Sequence, residues 1–93
     1  MEFEWDERKR RSNLRKHQLD FVDAVRVFTD SALITLDSRK EYGEDRYILY
    51  GTLTGRVVVI AFVYRGIRVR IISMRKATSR EQKFYVRNQL GKI

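Results

Sequence analysis

The sequence predicts a small single α+β domain over residues 1–93, with a central antiparallel sheet, two N-terminal helices and one C-terminal helix. Three observations support this class. The second half of the chain holds consecutive strand patterns, helical patterns stand before and after them, and no proline or Gly/Ser-rich stretch marks a linker. A chain of 93 residues leaves room for one hydrophobic core.

The first thirty residues predict a short strand followed by two helices. Met1–Trp5 alternates aromatic and acidic side chains, as a strand with one apolar face does. Asp6 can cap a helix over residues 6–18, which is almost wholly polar and anchored through Leu14. Asp20 can cap a second helix, whose apolar residues recur at helical spacing on one face: Phe21, Ala24, Val25 and Phe28.

The middle of the chain predicts a series of strands. Leu33–Leu36 and Arg46–Tyr50 are short strands, joined by a polar connection over residues 37–45 that we expect to be a mobile loop. Gly51–Gly55 supplies turn residues before RVVVIAFVY at residues 56–64. The length and β-branched content of that run predict a strand buried on both faces at the centre of the sheet.

The last third predicts a hairpin and a helix. Arg65 and Gly66 can reverse the chain into IRVRIIS at residues 67–73, a strand with one apolar and one strongly basic face. Thr78 and Glu81 have capping-box spacing, which predicts a helix over residues 77–90. We expect Phe84 and Tyr85 to face the sheet and Gly91 to stop the helix.

Positive charge is concentrated toward the C terminus. The formal net charge is +8, and residues 1–30 are neutral, with seven acidic and seven basic side chains. Residues 56–93 hold ten Lys and Arg against Glu81 alone. Such an excess repels itself in a compact chain, which favours a polyanionic partner such as nucleic acid. An acidic protein partner or simple solubility would also explain it.

Composition removes several kinds of chemistry. Zero cysteines exclude disulfides and thiolate metal sites, and the single histidine excludes a His-rich zinc cluster. No phosphate-cradling glycine loop or nucleotide fingerprint is present, so we expect no cofactor and no metal. The longest apolar run, Val57–Tyr64, is far shorter than the ~20 residues of a membrane span, and the start has no signal core. We expect a cytoplasmic protein with no membrane association.

An ordered series of short motifs resembles the BrnT toxins of bacterial type II toxin-antitoxin systems. The motifs are FEWD at residues 3–6, NL-x-KH at 13–17, F-x-D at 28–30, GE-x-R at 43–46, GR at 55–56, and RIIS-x-RKAT-x-x-E at 70–81. Gln18 stands where the family commonly has Gly, and Ser31 where Pro is usual.

The resemblance implies a RelE-like fold and a toxic ribonuclease activity that arrests translation. It also implies neutralisation by a BrnA-type antitoxin with a ribbon-helix-helix domain. The partners would then be that antitoxin, an RNA substrate, operator DNA reached through the antitoxin, and a second copy of the toxin within the complex.

A ribonuclease that uses no metal needs a base for the 2′-hydroxyl, cations for the phosphoryl oxygens and a proton source for the leaving 5′-oxygen. Guanidinium groups bind phosphate with two parallel hydrogen bonds, and histidine is the side chain that titrates near neutral pH. The predicted catalytic residues are Arg70, Arg75, Arg80, Glu44 and His17. The predicted RNA-binding residues are Arg46, Arg65, Arg68, Lys76 and Lys16.

Several of these residues, and some of their neighbours, also have a structural interpretation. Arg68 and Arg70 could form a solvated strand face, Glu81 could be only a cap, and Glu44 could form a surface ion pair with Arg46. His17 could bond locally at a helix end, Arg8–Arg11 could be a solvated helix, and the aromatic residues fit a core.

The alternative function is a non-catalytic, degenerate toxin that holds its antitoxin on operator DNA as a co-repressor. In a third interpretation, the basic face is a docking surface for an acidic segment of the antitoxin. This role is compatible with either function.

Overall fold

The computed structural model describes residues 1–38 and 43–90, and its strands are β1 (Glu2–Trp5), β2 (Leu33–Leu36), β3 (Tyr47–Leu53), β4 (Arg56–Arg65) and β5 (Arg68–Lys76). The helices are α1 (Glu7–His17), a 3₁₀ helix (Phe21–Arg26) and α2 (Ser79–Leu90). The strands form one sheet in the order β1-β5-β4-β3-β2. Part of the connection predicted at residues 37–45, and the stop predicted at Gly91, lie outside the described residues.

The predicted antiparallel meander is confirmed for β2 to β5, but the sheet as a whole is mixed. β1 pairs with β5 in parallel, with Glu2 beside Arg68 and Glu4 beside Arg70. The prediction of a purely antiparallel sheet was wrong because the polar α1 and the 3₁₀ helix carry the chain away from β1, so no hairpin constrains that strand's direction.

β4 lies third of the five strands and is buried on both faces, as predicted. Val58, Ile60 and Phe62 point into the main core, which lies between the sheet and the side of α1 and the 3₁₀ helix. On the other face Val59 packs with Ile48 and Ala77 in a smaller cluster next to α2. The second face therefore has less apolar cover and room for polar side chains.

The turn predicted at Gly51–Gly55 is shorter than expected, because Gly51 continues β3. A Cβ atom on Gly51 would lie 2.6 Å from Cγ1 of the buried Val27, so this glycine permits close approach of the chain that follows the 3₁₀ helix. The turn itself is Thr54 and Gly55, with φ angles of 52° and 78°. Two consecutive left-handed residues match the type I′ turn of tight hairpins.

The second N-terminal helix is a 3₁₀ helix, and one of its predicted core residues was wrong. Phe21, Ala24 and Val27 are buried, whereas Val25 is 53% exposed. A 3₁₀ helix has three residues per turn, so residues spaced by three share its inner face and Val25 points outward. Asp20 caps this helix through Val22 N–H, as predicted.

The face of α1 that packs against the sheet contains a buried polar residue, Asn13. Asp6 accepts hydrogen bonds from the N–H groups of Arg8 and Lys9 and so caps the helix as predicted. The buried Asn13 bonds β5: its Nδ2 donates to Met74 C=O (2.8 Å), and its Oδ1 accepts from Met74 N–H (3.1 Å). α1 ends at Gln18, whose φ of 57° is left-handed, and this conformation explains why glycine suits the position.

The C-terminal helix and its capping box are confirmed. Thr78 N–H donates to Glu81 Oε1 (2.9 Å), and Glu81 N–H donates to Thr78 Oγ1 (3.2 Å). Phe84 packs against Tyr50 with ring centroids 5.1 Å apart, and Tyr85 is buried with its hydroxyl donating to Ser31 C=O. Both side chains therefore contact other parts of the fold. In the described part of the chain no helix is both long and apolar enough to cross a membrane.

Candidate functional site

A β-bulge in β5 brings three arginines to one face of the sheet. Phe62 pairs with Ile71 but Ala61 pairs with Ser73, so Ile72 is an extra residue with no partner on β4. Arg70 and Arg75 are an odd number of residues apart and would lie on opposite faces of a regular strand. With the bulge, Arg70 and Arg75 lie beside Val63 and Val59, which share one face of β4. We call this surface the arginine face; Arg68 also belongs to it.

Carboxylates from β1 occupy one end of the arginine face. Arg70 Nη1 donates to Glu4 Oε2 at 2.6 Å, and the two side chains are only 32% and 26% exposed. Arg68 lies 3.6 Å from Glu4 and 4.0 Å from Glu2. The hydrogen bond from Arg70, assisted by the charges of both arginines, lowers the pKa of Glu4. The basic strand face predicted from β5 is thus largely neutralised by its parallel neighbour.

Arg75 is held in a fixed orientation by α2. Its Nη1 and Nη2 donate to the two carboxylate oxygens of Glu81 at 2.7 and 2.9 Å. This hydrogen-bonded pair lowers the pKa of Glu81 to about 2, with help from the Thr78 N–H. Glu81 therefore caps α2 and orients Arg75 through the same carboxylate. Its low basicity makes it a poor proton acceptor near neutral pH.

Glu81 should make stability depend on pH at the acid end. Its pKa falls from 4.5 to about 2 on folding, so its contribution is complete above pH 4.5 and is lost as the pH falls toward 2. We expect the free energy of unfolding of Glu81→Gln to vary less with pH across that window than that of the parent. Urea unfolding at a series of pH values measures this dependence. Gln82→Ala is the control, because it changes a neighbouring side chain on α2 without removing an ionisable group. Parallel curves for parent and Glu81→Gln would contradict it.

Two concave regions meet at Arg75. One, the sheet cleft, has a volume of about 220 Å³ and is lined by Thr35, Leu36, Asp37, Ser38, Ile48, Tyr50, Arg75 and Glu81. The other, the His17 hollow, has a volume of about 400 Å³ and is lined by Lys16, His17, Gln18, Arg75, Lys76 and Thr78. Four predicted residues, Lys16, His17, Arg75 and Lys76, therefore come together at the junction of α1, β5 and α2.

The remaining predicted residues lie elsewhere. Glu44 pairs with Arg65 at 3.3 Å, and Arg65 lies beside Arg68 at the far end of β5. At about 3.3 Å per strand residue this end is roughly 20 Å from Arg75, so Glu44 and His17 do not share a site. Arg46 is half-buried just before β3, and its C=O accepts from Asp37 N–H.

Arg80 also lies apart from the arginine face. It lines a hollow on the outer side of α2 with Lys83, Phe84 and Arg87. The cations predicted as catalytic or RNA-binding residues therefore do not form one cluster. They lie on the arginine face, in the His17 hollow, on the outside of α2 and, for Arg46, just before β3.

Three residues of this region carried no functional prediction. Asp37 and Tyr50 line the sheet cleft with Arg75, and Asn13 fixes the backbone of the residue that precedes Arg75. Asn13 could have been found from its position, because it is a polar residue on the inward side of a helix. Asp37 gave no such signal in a stretch interpreted as a loop. Among residues 1–38 and 43–90, no three His, Cys, Asp or Glu side chains form a group able to hold a metal ion.

The fold and these clefts define a small basic α+β domain with guanidinium and ammonium groups lining shallow hollows. The family model described as "Ribonuclease toxin, BrnT, of type II toxin-antitoxin system" matches residues 5–81 of the chain. The chain belongs to this family of ribonuclease toxins, which confirms the resemblance found in the sequence, and an antitoxin is the partner that such a system implies. Comparison with curated proteins gives no significant match.

Proposed function

We propose that the protein is an endoribonuclease that needs no metal ion and cleaves RNA by attack of a 2′-hydroxyl on the adjacent phosphorus. One observation carries the proposal: Arg75 lines the His17 hollow together with Lys16, His17 and Lys76. A proton-transfer group and three cations thus surround one space large enough for a phosphate group.

In this proposal Arg75 stabilises the charge that builds on the phosphoryl oxygens. A guanidinium that is already oriented by Glu81 requires little rearrangement when the substrate binds, which makes its electrostatic effect larger. Lys16 and Lys76 add positive charge at the rim of the hollow. Arg70 stays bonded to Glu4 and orders the sheet next to the site.

His17 is the proposed proton-transfer group. An imidazole can take the proton of the 2′-hydroxyl in one protonation state or give one to the leaving 5′-oxygen in the other. Attack forms a bond from the 2′-oxygen to phosphorus and breaks the bond from phosphorus to the 5′-oxygen. The products are a 2′,3′-cyclic phosphate and a free 5′-hydroxyl, so the ends of the fragments report the mechanism.

The test is cleavage of a defined RNA by the purified full chain in EDTA. We expect cleavage to continue in EDTA and to give 2′,3′-cyclic phosphate ends. A matched RNA with a 2′-deoxy sugar at the cut position should resist cleavage there, and His17→Gln should slow the reaction on the normal RNA. Cleavage that stops in EDTA and returns with added Mg²⁺, or that proceeds at the deoxy position, would overturn the proposal.

We also propose that the antitoxin is of the BrnA type with a ribbon-helix-helix domain, and that it carries the toxin, as a homodimer, to operator DNA. The antiparallel meander with α2 against its arginine face supports a RelE-like arrangement. The internal pairing of Arg68 and Arg70 with β1 carboxylates favours the second candidate function, a non-catalytic co-repressor. Induction of the intact chain without its antitoxin separates the two, because only the ribonuclease should stop growth and degrade RNA.

A further inference from the structure

The outward face of α1 carries a row of cations with no ion-pair partner in the described part of the chain. Arg8, Arg11 and Arg15 are exposed and spaced at i, i+3 and i+7, so they form one stripe along the helix. The opposite side of the helix holds Asn13, which is buried, and Arg10, which is half-buried. We call Arg8, Arg11 and Arg15 the α1 ridge.

Each acidic residue close to the ridge in sequence forms a hydrogen bond or an ion pair with a group outside the ridge. Glu2 and Glu4 pair with arginines of β5, and Glu7 accepts from Arg10 Nε at 2.7 Å. Asp6 caps α1, and Asp20 accepts from Arg10 Nη1. The first thirty residues are neutral in composition, yet these carboxylates are bonded to other groups, and none forms an ion pair with a ridge arginine in residues 1–38 and 43–90. Glu7 is near enough to Arg11 for the charge of that arginine to help lower the pKa of Glu7. Within Arg8–Arg11, Arg10 is therefore charge-balanced, whereas Arg8 and Arg11 form no ion pair in residues 1–38 and 43–90.

We propose that the α1 ridge is a docking track for the phosphate backbone of single-stranded RNA that leads into the His17 hollow. The inference rests on the proposed ribonuclease function, to which it adds a substrate-binding surface outside the site. α1 ends at the hollow, since Lys16 and His17 line it with Arg75 and Lys76. At 1.5 Å per residue the ridge extends about 10 Å along the helix before it reaches that end.

The chemistry of the surface favours a nucleic acid over a protein. Leu14 is the one large apolar side chain exposed on α1, at 38%. Protein interfaces have an apolar, charge-depleted centre, whereas phosphate contacts need cations and little else. α2 shows the contrast, because its Lys83 and Arg87 stand beside the exposed Phe84 and Val86.

The experiment compares two triple variants that remove the same charge. The track variant is Arg8→Gln, Arg11→Gln, Arg15→Gln. The control is Arg56→Gln, Lys83→Gln, Arg87→Gln, whose residues are exposed and also without an ion pair in residues 1–38 and 43–90.

Binding of a 2′-O-methyl oligonucleotide, which cannot be cleaved by 2′-attack, is measured by fluorescence anisotropy at a series of salt concentrations. We expect the slope of log K against log salt to become shallower by about 2 in the track variant, since three phosphate contacts contribute about 0.7 each. The control should keep the parent slope.

Cleavage supplies a second readout. A dinucleotide is too short to reach the ridge, so kcat/KM for a dinucleotide should be unchanged in the track variant, while kcat/KM for a long RNA falls. Equal slopes in parent and track variant, or an equal loss in both triple variants, would overturn the proposal. Weakened binding of the antitoxin with unchanged binding of RNA would also overturn it, in favour of a protein occupant.

If the parent binds the oligonucleotide but cleaves no RNA, the ribonuclease proposal fails. The salt slopes from anisotropy still test whether the α1 ridge binds the RNA backbone. A third variant, with lysine at all three ridge positions, should keep the parent slope. Melting temperatures of all variants check that each one folds.

Discussion

Replacing Asn13 with alanine is expected to lower the free energy of unfolding by about 3 kcal/mol, since three hydrogen bonds of about 1 kcal/mol each are lost. The Asn13 side chain bonds both backbone groups of Met74 and also donates to Leu19 C=O at 3.0 Å. Alanine leaves the buried N–H and C=O of Met74, and the partly buried C=O of Leu19, without the amide that bonds them. The change also releases α1 from β5 at the residue next to Arg75, so RNA cleavage should fall as well.

Urea unfolding monitored by circular dichroism measures this loss. Ser12→Ala is the matched control, because Ser12 is the exposed neighbour of Asn13 on the same helix and should change stability by less than about 0.5 kcal/mol. A loss below about 1 kcal/mol for Asn13→Ala would mean that water replaces the missing amide. The three hydrogen bonds of Asn13 would then contribute less to stability than their geometry suggests.

Changing Arg75 to glutamine is expected to reduce kcat/KM for RNA by about 10²- to 10³-fold, the usual cost of removing one donor that stabilises a developing oxyanion. Arg75 lies where the sheet cleft and the His17 hollow meet, so its loss removes charge from both. Arg75→Lys should recover only part of the rate, because an ammonium group lacks the planar fork that binds two phosphoryl oxygens. Initial rates on a fluorescent oligoribonucleotide give the measurement.

Glu81→Gln separates chemistry from structure in this experiment. It breaks the same ion pair but keeps the guanidinium, so it should retain more activity than Arg75→Gln at equal stability. Arg56→Gln removes one exposed positive charge on β4 and controls for net charge. Full activity in Arg75→Gln would remove Arg75 from the mechanism and leave Arg70 and Lys76 as the cations to test.

Local patterns predicted those elements whose interactions lie close together in sequence. The capping box of Thr78 and Glu81 is formed as expected, and β4 stands at the centre of the sheet. The 3₁₀ helix shows where such patterns become ambiguous. Phe21 and Ala24 are three residues apart, which fits either helix type, and the burial of Val27 with Val25 exposed is what distinguishes the 3₁₀ helix.

The candidate site was predictable in composition and only partly in arrangement. The sequence identifies the cations, and helix and strand periods place Lys16, His17 and Arg75 near the ends of elements. It does not say which carboxylate meets which arginine, because Glu4 and Arg70 are 66 residues apart and meet only through the parallel pairing of β1. The acidic strand at the N terminus was interpreted as an apolar contributor, and its effect on the arginines was missed.

The unpaired Ile72 divides β5 into two segments that follow opposite alternation rules. Before it, even-numbered side chains lie on the arginine face, and after it odd-numbered ones do. Without Ile72, Arg70 and Arg75 would be four residues apart, so a regular strand would keep Arg75 on the arginine face and the buried Met74 in the core. An inserted residue would instead turn Arg75 toward the core and Met74 outward, because one bulge compensates for one extra residue. β5 can therefore lose one residue at this point without exchanging its two faces, but it cannot gain one.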